Sequence, residues 1–373
     1  MSNIPQELII EILARLPVKS VVRFLCVSKE WYALITDSDF IKLHLKSSIE
    51  TNRDRILILD EGKFSPYSSA VQFSKDNQFG KTFEIYMPLQ NWVISDFCDG
   101  LVCLHKDYVK LEVAIWNPLI RKYRKLPIEP IDVPSSFWSG SRLAFGHDPR
   151  NDDYKVLRVT EFYMTDSVEF EVKVYSMRSN SWKKIDVQWP NKAICCSKLV
   201  VLNGDVYWLA ADGVVQGLES ILAFNFATEK LRLYGTPVPP DNDQFTCLDV
   251  LGGFLCYIVN DYLNSDVYLM KKNGVESSWT QIFKIKMGYR DFDYFRTLMF
   301  STNGKKVLLE EHQEYGHTNL IWYDIEKKRC NRVKNRSFPD VFMVATCIGS
   351  LLLLDGDNVI DPRQKKNKGK RKR

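Results

Sequence analysis

Closely spaced metal ligands and nucleophile motifs are missing from this sequence of 373 residues. Its five histidines are far apart except for His312 and His317, and no HExxH motif occurs. Its nine cysteines include no CxxC pair, whereas zinc sites need Cys or His ligands at such short spacings. GxSxG and P-loop motifs are also missing. The sequence therefore predicts no metal and no cofactor, and it argues against hydrolase or nucleotide-dependent chemistry.

Long apolar segments are missing as well. No run approaches the roughly 18 apolar residues of a candidate membrane helix. The first ten residues have no basic stretch ahead of an apolar core, so we expect no signal peptide. The odd number of scattered cysteines fits a reducing compartment, where they are small buried apolar side chains. We therefore expect no membrane partner.

Acidic residues are missing from the C-terminal tail. Residues 363–373 contain eight Lys or Arg and no Asp or Glu, so the formal net charge of +5 becomes −3 without them. Because the body of the chain is not basic, we expect no specific nucleic-acid partner. Residues 362–373 are predicted to be disordered. They are either a nuclear localisation signal or a solvated tail, and we expect the protein in nucleus and cytoplasm.

The first 47 residues have the spacing of short helices. Pro5 suits a first helical turn, and apolar residues follow at helical spacing until Pro17 ends the pattern. Ser20 and Ser28 are placed to cap a second and a third helix. Another apolar helical stretch begins at Phe40. The sequence thus predicts a small all-α domain at the N-terminus.

This helical segment is too small to be stable alone. Segments of roughly 40 residues usually need a metal, disulfides or a partner to build an adequate core. This one has a single cysteine, Cys26, and no metal-ligand spacing. Its apolar residues lie on more than one helix face. Either the rest of the chain or a partner protein must cover part of that surface.

The remainder of the chain repeats about every 50 residues. Six copies of a short apolar run occur, at Gly100, Asp152, Gly204, Gly253, Gly304 and Gly349. Another apolar run precedes each copy, and a strand–turn–strand pattern follows all copies but the last. Four short strands per repeat are typical of a β-propeller blade, and kelch repeats have this period. The sequence predicts an all-β propeller after the helical domain.

The sixth copy is incomplete, because residues 342–355 offer only two strands. Three unassigned apolar runs lie near the other end of the chain, at residues 55–60, 69–74 and 82–87. Strands from both ends would close the ring and leave no open sheet edge. We predict about six blades. Seven are possible if residues 55–87 form more than the missing half.

The segment from Ile4 to Leu45 resembles the F-box of plant F-box proteins. It carries that family's Glu-Ile-Leu-x-Arg-Leu-Pro-Val-Lys-Ser pattern at residues 11–20 and its Cys-Val-Ser-Lys-x-Trp pattern at 26–31. It departs at Ile4, where the family usually has Leu, and at Leu25, where this group often has Arg. The resemblance implies binding to a Skp-type adaptor and, through it, to a cullin scaffold. The implied adaptor-binding residues are Pro5, Leu8, Ile12, Leu16, Pro17, Leu25, Val27 and Trp31.

Most of residues 95–235 resemble the F-box-associated domain of plant F-box proteins, including the S-locus F-box-like group. The resembling strings are CDGLVCL, IWNPLIRKYRKLP, FGHDPRNDDYKVLRV and VKVYSMRSNSWKKI. Together the two resemblances imply an F-box at 1–47, a kelch-like propeller at 48–361 and a tail at 362–373. They also imply a non-catalytic substrate receptor of an SCF ubiquitin ligase. Its propeller loops would recognise an unidentified target protein for ubiquitination and proteasomal degradation.

The long and dissimilar connections of the repeats are expected on one face of the propeller. Binding surfaces are usually built from variable loops on a rigid scaffold, with aromatic residues as anchors. The candidate target-binding residues are Phe137, Trp138, Phe162, Tyr163, Tyr262, Tyr289, Phe292, Tyr294 and Tyr315. Alternatively, these aromatic residues pack under their own loops. Five tryptophans at repeat positions are instead predicted to pack within blades: Trp116, Trp182, Trp208, Trp279 and Trp322.

Two other functions stay open at this point. A propeller enzyme, such as a kelch-type oxidase or a hydrolase, needs His, Tyr, Cys or carboxylates converging at the ring centre. The sparse histidines argue against it. A carbohydrate-binding propeller is kept open by Trp138 and the aromatic loops.

Overall fold

The structure is a computed structural model that describes most of the chain. The described residues are 4–51, 55–60, 67–73, 79–106, 111–130, 138–163, 168–190, 192–195, 198–211, 219–239, 244–261, 263–286, 292–313, 317–335, 338–353 and 359–360. They divide into two compact units. The first unit combines Met1–Ile128 with Met343–Arg373, and the second is Glu129–Phe342. The predicted domain bounds, at residues 47 and 361, stay a prediction.

Four α-helices, which we call the helical unit, occupy the described N-terminal residues. They are α1 (Gln6–Ala14), α2 (Val18–Phe24), α3 (Lys29–Thr36) and α4 (Ser38–Thr51). Pro5 and Pro17 stand in extended conformation before α1 and α2. The expectation that Ser20 caps the second helix is wrong: Ser20 lies inside α2, because Pro17 already sets its start. Ser28 caps α3 as predicted, since its hydroxyl accepts the N–H of Trp31 at 3.2 Å.

The first unit also contains two β-sheets. One has the order β25-β1-β2-β3, and the other has the order β26-β7-β6-β5-β4. Their strands are β1 (Ile56–Asp60), β2 (Tyr67–Phe73), β3 (Phe79–Tyr86), β4 (Val93–Cys98), β5 (Leu101–Lys106), β6 (Glu112–Asn117), β7 (Lys122–Lys125), β25 (Met343–Cys347) and β26 (Val359–Ile360). All pairings are antiparallel. Each sheet thus combines strands from both ends of the chain.

The second unit contains four antiparallel sheets among its described residues. Their orders are β11-β10-β9-β8, β12-β14-β15-β16 with β13 beside β14, β17-β18-β19-β20, and β21-β22-β23-β24. The strands are β8 (Trp138–Asp148), β9 (Asp153–Tyr163), β10 (Val168–Ser176), β11 (Ser181–Ile185), β12 (Ala193–Ile194), β13 (Val200–Leu202), β14 (Asp205–Ala211), β15 (Glu219–Asn225), β16 (Lys230–Gly235), β17 (Phe245–Leu251), β18 (Phe254–Asn260), β19 (Asn264–Met270), β20 (Trp279–Lys286), β21 (Phe292–Phe300), β22 (Lys306–Gln313), β23 (Thr318–Asp324) and β24 (Arg329–Arg332). A short 3₁₀ helix, Glu276–Ser278, precedes β20.

The six sheets are the blades of a β-propeller, which confirms the predicted fold class and the prediction of about six blades. The incomplete sixth repeat is completed by N-terminal strands, because β25 pairs with β1 over Ile56–Asp60. One detail differs from expectation. The first of the two strands predicted in residues 342–355 forms as β25, whereas the described residues 348–353 of the second have no strand structure. The sheet therefore takes one strand from the C-terminal end and three from the N-terminal end.

Apolar side chains fill the spaces between neighbouring sheets. Trp116 and Trp208 are fully buried in two different clusters. Trp182, Trp279 and Trp322 are half-buried on their strands, and Trp182 packs on Tyr175 with ring centroids 5.4 Å apart. These positions fit the predicted role of the repeated tryptophans in blade packing. Among the described helices, none is long and apolar enough to cross a membrane.

Candidate functional site

One side of the helical unit is buried against the first unit's own sheets. Its core contains Leu13, Val18, Val21, Ile35 and Phe40, with Ala14. Two residues from outside the helices are buried in the same cluster: Ile120, which follows β6, and Leu351, which follows β25. The chain itself therefore covers part of the apolar surface that a segment of this size cannot cover alone.

Another side of the helical unit stays exposed although it is apolar. Leu8 and Ile12 lie one turn apart on α1 and keep 50% and 54% of their surface exposed. Val27, between α2 and α3, is 58% exposed. Neighbouring exposed apolar residues, such as Leu8 and Ile12 on one helix, mark an interaction surface, whereas single exposed ones are ordinary. We call Leu8, Ile12 and Val27 the docking edge.

The other predicted adaptor-binding residues divide into two groups. Pro5 and Pro17 are exposed. Leu16, Leu25 and Trp31 are half-buried and pack against the helical core, and the Trp31 ring meets Phe24 edge to face at 5.3 Å. These three can offer a partner only part of their surface. Sequence reasoning passed over Ile4 and Tyr32, which are 59% and 47% exposed. The signal available for Tyr32 was its position directly after Trp31.

The turn between α1 and α2 is held by a buried histidine. His44 of α4 is fully buried, and its Nε2 donates to the carbonyl of Leu16 at 2.9 Å. This bond ties α4 to the end of α1, next to Pro17. The docking edge is thus presented by helices that are joined to one another by side-chain hydrogen bonds as well as by apolar packing.

Those predicted target-binding residues that the structure describes lie at one end of the sheets of the second unit. Neighbouring strands of an antiparallel sheet run in opposite directions. The first strand of each sheet therefore begins at the same end of the sheet at which the second strand ends. Trp138 begins β8 and pairs with Tyr163 at the end of β9, and Ser139 pairs with Phe162. Phe292 begins β21. Phe137, Tyr262, Tyr289 and Tyr315 lie outside the described residues.

An aromatic stack stands at this end of two neighbouring sheets. The ring of Tyr294 stacks on His312 with centroids 4.4 Å apart and an interplanar angle of 18°. Its centroid lies 4.6 Å from that of Phe245, the first residue of β17. Phe245 is 45% exposed, whereas Tyr294 is half-buried. Sequence reasoning found Tyr294 but missed Phe245 and His312, whose positions at strand ends follow only from the register.

Buried charges lie next to this stack. Arg296 contacts Glu310 at 3.3 Å and Asp249 at 3.5 Å. Burial alone would lower the pKa of Arg296, but the two carboxylates outweigh it and raise that pKa above its usual value. Glu310 also lies 3.3 Å from Nε2 of His312. The guanidinium therefore stays charged and balances the carboxylates below the aromatic rings.

Groups that could hold a metal do not occur among the described residues. The buried thiols of Cys103, Cys256 and Cys347 have pKa values raised by burial, which is the opposite of an activated nucleophile. Among the described residues, these observations indicate neither a metal centre nor an activated buried thiol.

Comparison with known proteins gives two family matches. An F-box domain model matches residues 1–43, and a model for the F-box associated beta propeller domain matches residues 56–352. F-box protein CPR1 of Arabidopsis thaliana is 28% identical over 95% of this chain and 89% of its own length. The F-box/WD-40 repeat-containing protein 1 of the same plant is 31% identical over 76% of this chain and 69% of its own length. An Arabidopsis thaliana F-box/kelch-repeat protein is 28% identical over 83% of this chain and 85% of its own length.

Proposed function

Because this chain belongs to the F-box proteins that carry an F-box-associated β-propeller, we propose that it is a substrate-receptor subunit of an SCF ubiquitin ligase. The observation that carries the proposal is the docking edge. Leu8, Ile12 and Val27 stay exposed on a helical unit whose Leu13, Val21 and Ile35 are buried in its own chain. The helical unit thus has apolar residues that pack on its own chain and apolar residues that are left for a partner.

The partner in this proposal is a Skp-type adaptor, which connects the chain to a cullin scaffold. Apolar anchors at one-turn spacing on a short helix suit an apolar groove on another protein. Leu8 and Ile12 provide that spacing on α1, and Val27 extends the surface beyond α2. The half-buried Trp31 and Leu25 would add contact area at its margin.

The chain itself is proposed to be non-catalytic. Its contribution is to hold a target protein beside the ubiquitin-transferring subunits, which makes the transfer effectively intramolecular. The target would bind the propeller at the sheet ends that carry Phe245 and Tyr294. Aromatic residues dominate interface hot spots because they bury a large area with few rotatable bonds.

The docking edge is tested by the double substitution of Leu8→Ala and Ile12→Ala. Both side chains are about half exposed, so the fold should survive, whereas co-purification of a Skp-type adaptor should fall at least tenfold. Leu43→Ala is the matched control, since Leu43 is also an exposed leucine (41%) but lies on α4, outside the docking edge. Undiminished adaptor recovery with the double variant would remove the docking proposal.

The target surface is tested by Phe245→Ala in cells with the proteasome inhibited. Proteins that accumulate on the docking-edge variant should be lost when Phe245→Ala is added. Leu233→Ala is the control, because Leu233 is 50% exposed on β16 and belongs to no aromatic stack. If the same proteins are recovered with Phe245→Ala, the target does not bind at this stack.

A further inference from the structure

A short segment after β25, residues 348–353, joins the end of the chain's last blade to the helical unit. Leu351 of this segment is fully buried in the helical core. Ile120, from the turn after β6, is the other residue from outside the helices that is buried there. The helical unit is therefore packed on two pieces of chain that are remote in sequence. Neither piece is part of a strand, so strand pairing does not hold the two together and another contact must do so.

Asn117, the last residue of β6, makes that connection. Its Nδ2 donates to the carbonyls of Ser350 and Leu352, both at 2.9 Å, across 233 and 235 residues of sequence. Its Oδ1 accepts the N–H groups of Leu119 at 3.1 Å and Ile120 at 3.4 Å. The side chain is fully buried. The side-chain amide of Asn117 thus binds the turn through its oxygen and residues 348–353 through its nitrogen.

Gly100 meets the same segment from the neighbouring turn. Its φ is +80°, and a Cβ placed on it would lie 2.3 Å from the carbonyl oxygen of Ile348 and 2.6 Å from Cβ of Ser350. The backbone of the segment can come this close only because no side chain is present. Cys347 adds a contact, since its Sγ lies 3.4 Å from the carbonyl oxygen of Gly100.

We propose that Asn117, Gly100 and residues 347–353 form a latch that fixes the helical unit on its adjacent sheets. Asn117 is the positioning residue of this latch, because it acts on the helices only through the backbone it holds. The helical unit is then a fixed part of the first unit and is not tethered loosely to it. That the fixed face serves an adaptor rests on the proposed function, but the latch itself does not.

The substitution Asn117→Asp removes the hydrogen bonds of the latch while it keeps those within the turn. An aspartate oxygen can still accept the two turn N–H groups, as Asp148 does in another blade, where its Oδ1 accepts the N–H groups of Arg150 at 3.1 Å and Asn151 at 3.4 Å. It cannot donate to the carbonyls of Ser350 and Leu352. In the full chain, hydrogen exchange measured by mass spectrometry should become at least tenfold faster in residues 13–24, with the sheets of the second unit unchanged. Wild-type exchange in these helices would overturn the latch.

Gly100→Ala provides a second variant with a matched control. Gly253 has almost the same conformation, with φ of +81°, but a Cβ there meets nothing within 4 Å. Gly100→Ala and Gly253→Ala should therefore carry the same backbone strain, and only Gly100→Ala should speed exchange in the helical unit. Equal exchange in the two variants would overturn the proposal, because strain alone would then explain the effect.

A distance measurement tests whether the latch fixes the position of the helical unit on its adjacent sheets. Spin labels attached through non-natural amino acids at Lys46 of α4 and Glu84 of β3, both exposed, should give one narrow distance distribution in the otherwise unmodified chain. Asn117→Asp should broaden it, and an equally narrow distribution would contradict the positioning role. Neither exchange nor distance requires an adaptor. A chain that shows the latch but binds no adaptor would refute the proposed function alone.

Discussion

At the scale of single residues, Asp148 shows how a buried charge of this propeller is paired. Asp148 is fully buried at the end of β8, and its carboxylate accepts from Nζ of Lys155 at 2.8 Å and from Nδ2 of Asn151 at 2.7 Å. Lys155 also donates to the carbonyl of Phe226 at 2.8 Å. Burial alone would raise the pKa of Asp148, but the hydrogen bonds from Lys155 and Asn151 outweigh it and lower that pKa.

Lys155→Met should destabilise the protein strongly, because it leaves a buried carboxylate without its charged partner. Breaking a buried pair in this way costs about 3–5 kcal/mol. Unfolding in denaturant, followed by tryptophan fluorescence, measures the loss. Lys305→Met is the control, since Lys305 pairs with Glu326 in solvent and both side chains are more than half exposed. A similar small effect for the two variants would contradict the assigned importance of the buried pair.

The Asp148–Lys155 pair should also make the stability of the folded protein depend on pH. A carboxyl whose pKa is lowered by folding stabilises the native state above its unfolded pKa, and this stabilisation disappears as the pH falls through the folded value. The Asp148 contribution should therefore be complete near neutral pH and lost in acid, below the usual pKa of an aspartate. In Lys155→Met this part of the acid dependence should shrink.

At the scale of secondary-structure elements, local sequence decided most starts and ends. Turn residues set the hairpins: Asn117 and Asp324 accept N–H groups of the turns that follow them. The start of α2 was misread, because Pro17 and not Ser20 precedes its first turn. The described residues 350–353 do not form the strand predicted after Gly349, because the carbonyls of Ser350 and Leu352 accept from Asn117 and Leu351 is buried in the helical core. An apolar run gives burial, but it does not say against which neighbour.

Ser28→Ala should loosen α3 at its start. Loss of an N-cap costs about 1 kcal/mol, because the N–H of Trp31 loses its acceptor. Faster hydrogen exchange at the first turn of α3 would show this, and adaptor binding should weaken because Trp31 loses its fixed position. Ser28→Asp is the control, since aspartate is an equally good N-cap. If Ser28→Asp loosens α3 as much as Ser28→Ala, capping is not the cause.

At the scale of the whole molecule, the propeller is completed by strands from both ends of the chain. β1 is buried along its whole length, and β25 is its hydrogen-bonded neighbour at one edge. Without β25, that edge would expose unpaired backbone groups of a buried strand. The C-terminal end of the fold is therefore as necessary to this sheet as its own hairpin is.

Removal of residues 343–373 should unfold the sheet that contains β1, since it deletes β25 and the latch together. Removal of residues 362–373, the basic tail, should leave the melting temperature unchanged because all described strands remain. Thermal unfolding of the two truncated chains measures the difference. If the chain that lacks residues 343–373 still showed an unchanged, cooperative thermal unfolding transition, this would contradict the closure of the sheet by β25. The longer chain also tests the nuclear signal predicted in the tail, which lies outside the described residues, by its distribution in cells.

The sequence by itself determined the two parts of the molecule: a helical segment too small to stand alone, and a β-repeat with a period of about 50 residues. These follow from local periodicity, which a linear pattern records. Tertiary structure alone decided that Phe245 and His312 flank Tyr294, that half-buried Leu16 and Trp31 belong partly to the core, and that Asn117 holds residues 350–352. Such contacts join positions far apart in the chain. Their partners are chosen by strand register and packing geometry, which no local pattern encodes.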